Sequence, residues 1–152
     1  MSTLKIRKAG GKQSVSPETL GASLGLKESR IGQLIGQLQH GLSFKALASF
    51  EASSGMTISE IASLIGIPAR TLARRRVAGK LAPDESERLF RIATVFEKAV
   101  GLFEGDVPAA LAWLGTPKKA LGRQSPWTYA RSELGSQEVL DLIGRLEYGV
   151  FT

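Results

Sequence analysis

Four arginines crowd into one short stretch, Arg70, Arg74, Arg75 and Arg76, and the residues around them decide what chemistry they can do. The segment 57–80 reads TISEIASLIGIPARTLARRRVAGK. Arginine is the side chain that most often makes a bidentate contact to guanine in the major groove. Within the segment, Ile61-Ala62, Gly66-Ile67 and Leu72 fit a helix-turn-helix template. Ala62 must be small where the two helices cross, and Gly66 takes a turn conformation that a Cβ resists. Ile61, Ile65, Ile67 and Leu72 then fill the small core between the helices.

In such a unit the second helix enters the major groove. With Leu72 inward, Arg70 lies about 160° and Arg74 about 200° away at 100° per residue. These two are the expected base readers, flanked by Ala69, Thr71 and Ala73. Arg75 and Arg76 fall about 60° and 40° from Leu72. Toward the protein side, they are placed to reach phosphates or to pair with Glu85, Glu87 or Glu51. Lys80 adds a phosphate contact, and Thr57 and Ser59 can anchor a phosphate through backbone N–H groups at the start of the first helix. The competing reading of the same residues is a solvated basic face.

Catalytic and metal chemistry find little here. The single histidine, His40, stands beside Gly41 as a helix cap would. Cysteine is absent, which removes disulfides, a cysteine nucleophile and the usual zinc ligands. Gly11-Lys12-Gln13-Ser14 lacks the preceding glycine of a phosphate-binding loop, and no strand leads into it. Glu85 and Glu87 sit at a helix start, where acids favour the dipole. No catalytic residue, metal site or cofactor is expected.

The elements that must hold these residues are helical throughout, so the fold class is all-α. A basic arm covers 1–16, and one or two helices follow over 17–39, carrying Leu20, Leu24, Ile31, Leu34, Ile35 and Leu38. Gly21, Gly25, Gly32 and Gly36 weaken that helix and suggest a close helix–helix contact. A helix over 42–53 has Phe44, Leu47, Ala48 and Glu51 on one face. Thr57 with Glu60 forms a capping box for a helix over 58–65, and Pro68 opens the next, to about 78. A longer helix runs from Asp84 to about Phe103 with Leu89, Ile92, Phe96 and Val100 on one stripe. Short elements are expected at 107–114, 118–121 and 136–147. The domains are read as 1–44, a basic arm with dimerisation helices; 45–100, DNA-binding; and 101–152, a second helical domain.

Charge follows this division. Of 152 residues, 1–80 hold twelve Lys/Arg against four Asp/Glu, and 81–152 hold eight against ten, within a net charge of +6. The front is thus about +8 and suits a polyanion. The 43% hydrophobic content fits a globular protein. No apolar run approaches a membrane span, and the expected location is cytoplasmic. Both tryptophans and both tyrosines lie beyond Leu102, and the sequence stops on Val150-Phe151-Thr152. An apolar, aromatic end suggests that its own core or a partner covers it. Trp113, Trp127 and Tyr148 suit either a small helical core or an interface.

The order of motifs resembles the MbcA/ParS/Xre family of antitoxins, partners of RES-domain toxins. The matching residues are Leu102-Phe103-Glu104-Gly105-Asp106, Ala109-Ala110, Trp113-Leu114, Pro117, Ala120-Leu121-Gly122, Pro126, Gly135, Val139 and Leu146-Glu147-Tyr148-Gly149-Val150. Upstream, 69–76 with Leu81 and 85–89 look like the family's DNA-binding half. Arg123-Gln124-Ser125 departs from the glycine-rich turn common in relatives. The resemblance implies an antitoxin that covers the active site of an NAD-consuming toxin and represses its own operon as a dimer or within the toxin complex. It places Trp113, Leu114, Trp127, Tyr148, Gly149 and Val150 in the toxin-binding domain, with Phe151 and Thr152 in direct contact. The alternative is a stand-alone helix-turn-helix regulator whose C-terminal domain senses a ligand or dimerises.

Overall fold

The computed structural model describes residues 20–27 and 30–149. The basic arm 1–16, the helix start at Ser16-Pro17 and the terminal Val150, Phe151 and Thr152 lie outside the described residues. Eight α-helices follow in order: α1 Ile31–His40, α2 Lys45–Ser54, α3 Ile58–Leu64, α4 Ala69–Ala78, α5 Pro83–Leu102, α6 Val107–Leu114, α7 Pro126–Tyr129 and α8 Glu133–Glu147. Two 3-10 turns, Ala22–Leu24 and Lys119–Leu121, complete the set. No strand occurs among the described residues, so the class is all-α. The chain divides into two compact units, the first ending at Ala93 and the second running from Thr94. The described part of 1–44 therefore packs within the same unit as 45–93.

In the first unit the 3-10 turn packs on α2, α2 on α3, and α3 on α4. Leu34, Leu47, Phe50, Ile61, Ile65, Leu81, Leu89 and Ile92 are buried together with Ala46 and Ala62. The segment between α1 and α2 pairs with the one after α4 through an antiparallel bridge of Ser43 with Lys80. Leu81 donates its N–H to the Leu42 carbonyl at 2.9 Å, and Phe44 to that of Gly79 at 2.9 Å. Ser86, fully buried, accepts the Leu42 N–H at 2.8 Å and donates to the Ala82 carbonyl at 2.9 Å. These bonds tie the segment before α2 to the end of α4 and the start of α5.

Two readings of the N-terminal helices are corrected. Gly21 and Gly25 are not part of a helix face; both are left-handed, with φ 80° and 79°, and bracket the 3-10 turn. Gly32 and Gly36 do lie on α1, but a Cβ on either would meet nothing within 4 Å, so among the described residues they line no contact. On α2 the inward residues are Ala46, Leu47, Phe50 and Ser54, whereas Ala48 is exposed. The helix starts at Lys45, later than expected, because pairing with Gly79 to Leu81 holds Leu42 to Phe44 outside it.

The second unit is built on α6, α7 and α8. Asp106 caps α6, accepting the Ala109 N–H at 3.1 Å. Ser125 caps the single turn α7, accepting from Thr128 at 3.1 Å. That turn was not expected, although Ser125-Pro126 is a cap followed by a first-turn proline. Ser132 caps α8 by accepting the Gly135 N–H at 2.9 Å, so α8 begins three residues before the expected 136. Gly135 serves a close approach: a Cβ there would sit 1.7 Å from the Tyr129 carbonyl oxygen. Leu114, Leu121, Ala130, Val139 and Ile143 form the core of this unit.

Candidate nucleic-acid interface and aromatic face

The capping box at the start of α3 forms as expected. Thr57 Oγ1 accepts the Glu60 N–H at 3.0 Å, and Glu60 Oε1 accepts the Thr57 N–H at 2.9 Å. Glu51 takes the next amide, that of Ile58, at 3.2 Å. Of the two residues expected to anchor a phosphate, Thr57 has its amide held within the chain, and Ser59 stands exposed beside it. Gly66 ends the first helix of the pair with φ 74° and open space around it, the conformation a β-carbon disfavours. Ile67 donates its N–H to the Ala62 carbonyl at 2.9 Å and is buried.

α4 is a surface helix with no fully buried residue. Its inward side is Thr71, Leu72 and Arg75, each half-buried, so Leu72 seals the small core less completely than its type suggests. Ala69, Arg70, Ala73 and Arg74 are exposed. Arg74 Nη2 lies 3.5 Å from Thr71 Oγ1, a weak tether. Arg70 and Arg74 therefore stand where the helical wheel put them.

Arg75 is held by Glu85 in a two-point contact, Nε–Oε1 2.8 Å and Nη2–Oε2 3.0 Å. Glu85 is buried and also accepts the Ala82 N–H at 2.8 Å. The Arg75 hydrogen bond holds the Glu85 carboxyl below its ordinary value, although burial opposes this. The same bond raises Arg75. Of the two roles open to Arg75, the intramolecular pair is the one formed, and it clamps α4 to α5. Arg76 lies over the Phe44 ring at 5.0 Å and remains exposed, as does Lys80, whose backbone pairs with Ser43.

One supporting residue escaped the sequence reading. Arg88 donates Nε–H to the Ile65 carbonyl at 2.6 Å and pairs with Asp84 at 3.1 Å. It thus satisfies a carbonyl at the end of α3, which the turn leaves without a helical partner. The Asp84–Arg88 spacing of i, i+4 is visible in the sequence; its reach to Ile65 is not. The Arg88 hydrogen bond lowers Asp84.

In the second unit Leu114 is fully buried and is core. Trp113 is half-buried beside Phe103, with ring centroids 6.5 Å apart, and Lys118 Nζ lies 4.9 Å from the indole centre. Burial pushes the Lys118 ammonium down. Trp127 is half-buried, and Tyr148 and Gly149 are exposed. Tyr148 is 83% exposed, and Leu134, which the sequence reading missed, is 82% exposed at the start of α8. Leu134 borders a hollow of about 340 Å³ with Thr128, Ser132 and Glu138. With α8 begun at 136 instead of 133, Leu134 falls in a loop and its place on a helix face is hidden. The departing turn is strained: Arg123 takes φ 66°, closed by its N–H to the Lys118 carbonyl at 2.8 Å.

No group of three or more His, Cys, Asp or Glu side chains is arranged to hold a metal among the described residues. No described helix is long and apolar enough to cross a membrane.

Comparison with known proteins joins the two units. Residues 33–93 match the antitoxin Xre-like helix-turn-helix domain, and 98–149 the antitoxin Xre/MbcA/ParS C-terminal toxin-binding domain. Over 130 residues the chain is 42% identical to Antitoxin Xre of Yersinia enterocolitica, covering 85% of this chain and 88% of that one. The chain belongs to the Xre antitoxin family. A second Antitoxin Xre, from Photorhabdus laumondii subsp. laumondii, is 32% identical over 137 residues, 90% of this chain and 93% of that one. This Xre family member is thus an antitoxin with a helix-turn-helix and a toxin-binding domain in one chain. The helix-turn-helix match, 33–93, includes most of α1.

Proposed function

We propose that this antitoxin neutralises a RES-type toxin that consumes NAD by covering its active site, and that it represses its own operon through α4. The observation that carries the reading is the pairing of the two matched domains in one chain, 33–93 and 98–149. The resemblance of the C-terminal motifs to partners of RES toxins supplies the toxin class. Arg70 and Arg74 read bases; Arg76, Lys80 and Ser59 contact phosphates. Tyr148 with the segment 149–152, together with Trp127, meets the toxin, while Trp113 and Leu114 build the domain behind them. The chain acts in the cytoplasm, where its DNA lies. Ile31 and Ile35, 57% and 47% exposed beside the open Gly32 and Gly36, suit a homodimer through α1. A dimer presents two recognition helices to half-sites about 34 Å apart or a multiple of that.

Co-expression with a RES-type open reading frame adjacent to this one tests the proposal. The expected result is co-purification of the two products, rescue of growth and restored cellular NAD. Failure of the two chains to associate, with NAD still falling, overturns the toxin assignment.

A further inference from the structure

Opposite the half-buried side of α4, four residues share one face: Arg70, Ala73, Arg74 and Val77, at i, i+3, i+4 and i+7. All four are exposed, and Val77 is 90% so. Residues at this spacing line one face of a helix, the face that lies along the major groove when α4 is the recognition helix. With Leu72 inward, Val77 lies about 140° away, between Ala73 and Arg70. Valine is β-branched and a poorer helix former than alanine or arginine. Here it is outside the core formed by the described residues, and its neighbours on the face are two cations and a methyl group. The face therefore alternates two chemistries. Guanidinium groups suit the acceptor edge of guanine, and small apolar groups suit the C5-methyl of thymine.

We propose that Val77 is a specificity-determining residue, reading a thymine by contact of its methyl groups with the thymine C5-methyl. Seven residues of helix separate it from Arg70, a rise of about 10 Å. Base pairs stack about 3.4 Å apart, so the thymine lies about three base pairs from the pair that Arg70 reads. The inference rests on α4 being the groove-reading helix.

The test uses the full-length chain and a duplex selected by it from a randomised pool. Each thymine of that duplex is replaced in turn by deoxyuridine, which removes only the methyl group. At one position per half-site, wild-type binding should weaken about fourfold, the equivalent of one buried methylene. Val77→Ala should bind the thymine and uracil duplexes equally, with unchanged melting temperature because the side chain is exposed. Wild-type indifference at every thymine, or the same uracil sensitivity in Val77→Ala, overturns the proposal. Altered self-association or toxin binding in Val77→Ala, with methyl dependence intact, overturns it in favour of a protein contact. If no sequence is selected at all, the groove-reading role of α4 fails and this inference with it. If Arg70→Ala and Arg74→Ala abolish selection while methyl removal does nothing, only the Val77 inference fails.

Discussion

Arg70, Ala73, Arg74 and Val77 stand on a helix with no buried residue, whereas in the second unit Leu114 is fully buried and Trp113 is half-covered beside Phe103 and Lys118. The first arrangement separates frame from contact. Ile61, Ala62, Ile65 and Ile67 hold the helix pair, Arg75–Glu85 clamps α4, and the outward side chains take no part in the packing. The second arrangement merges the two. One helix, α6, places Leu114 in the core and Trp113 at its edge, so a single turn serves folding and surface together. Long charged groups need reach and a rigid base to read a groove, while a small protein-binding domain has few residues to spare for its own core.

Substitutions can break that contrast. Leu114→Ala should have the largest effect, a loss of about 2–5 kcal/mol measured by thermal or denaturant unfolding. Toxin binding should fall with it. A stable Leu114→Ala that has lost toxin would mean that the residue is contact instead of core. Arg70→Ala and Arg74→Ala should each weaken DNA binding by about 1–3 kcal/mol in a shift assay and leave the melting temperature unchanged. Unchanged DNA binding in both variants removes them as base readers.

Glu85→Gln lies on the frame side of the comparison. Its sign follows from the lowered carboxyl of Glu85, whose ordinary value is 4.5. A carboxyl depressed on folding adds stability that is complete above the unfolded value and is lost as pH falls through the folded one. The stability gap between wild type and Glu85→Gln should therefore be full at pH 7 and shrink as pH falls below the ordinary value of 4.5. A gap independent of pH would show that the ion pair is not its source.

Smaller effects sharpen the second unit. Arg123→Gly should relieve a left-handed residue and raise stability by up to about 1 kcal/mol. A loss on this substitution would give the Arg123 side chain a contact that outweighs its backbone strain. Tyr148→Ala should change stability by less than about 0.5 kcal/mol, because the ring is exposed. Toxin binding should nevertheless weaken, read by calorimetry on the purified pair. Wild-type affinity in this variant would take Tyr148 out of the interface.

Several features were open to reading because they depend on local physics. The Thr57–Glu60 box, the Gly66 turn and the Leu89–Ile92–Phe96–Val100 stripe each follow from neighbours in sequence, and each is formed. The angular argument for Arg70 and Arg74 needed only one inward residue, Leu72, and a period of 3.6. Where the reading failed, a distant group intervened. The pairing of Leu42 and Phe44 with Leu81 and Gly79 trims α2. The Tyr129 carbonyl explains why position 135 is a glycine.

By itself, then, the sequence determined an all-helical chain, a basic helix-turn-helix with two outward arginines and a C-terminal segment of toxin-binding type. Helical period, caps and turn glycines act over four residues or fewer, and charge adds without regard to fold. Tertiary structure alone decided between the two fates of neighbouring arginines. Arg74 is exposed and Arg75 is bound to Glu85, ten residues on, because α5 brings a buried carboxylate to one side of α4 and nothing to the other. Likewise, only packing placed Leu114 inside and Tyr148 outside, since both are apolar enough for either and the choice rests on which helix faces meet.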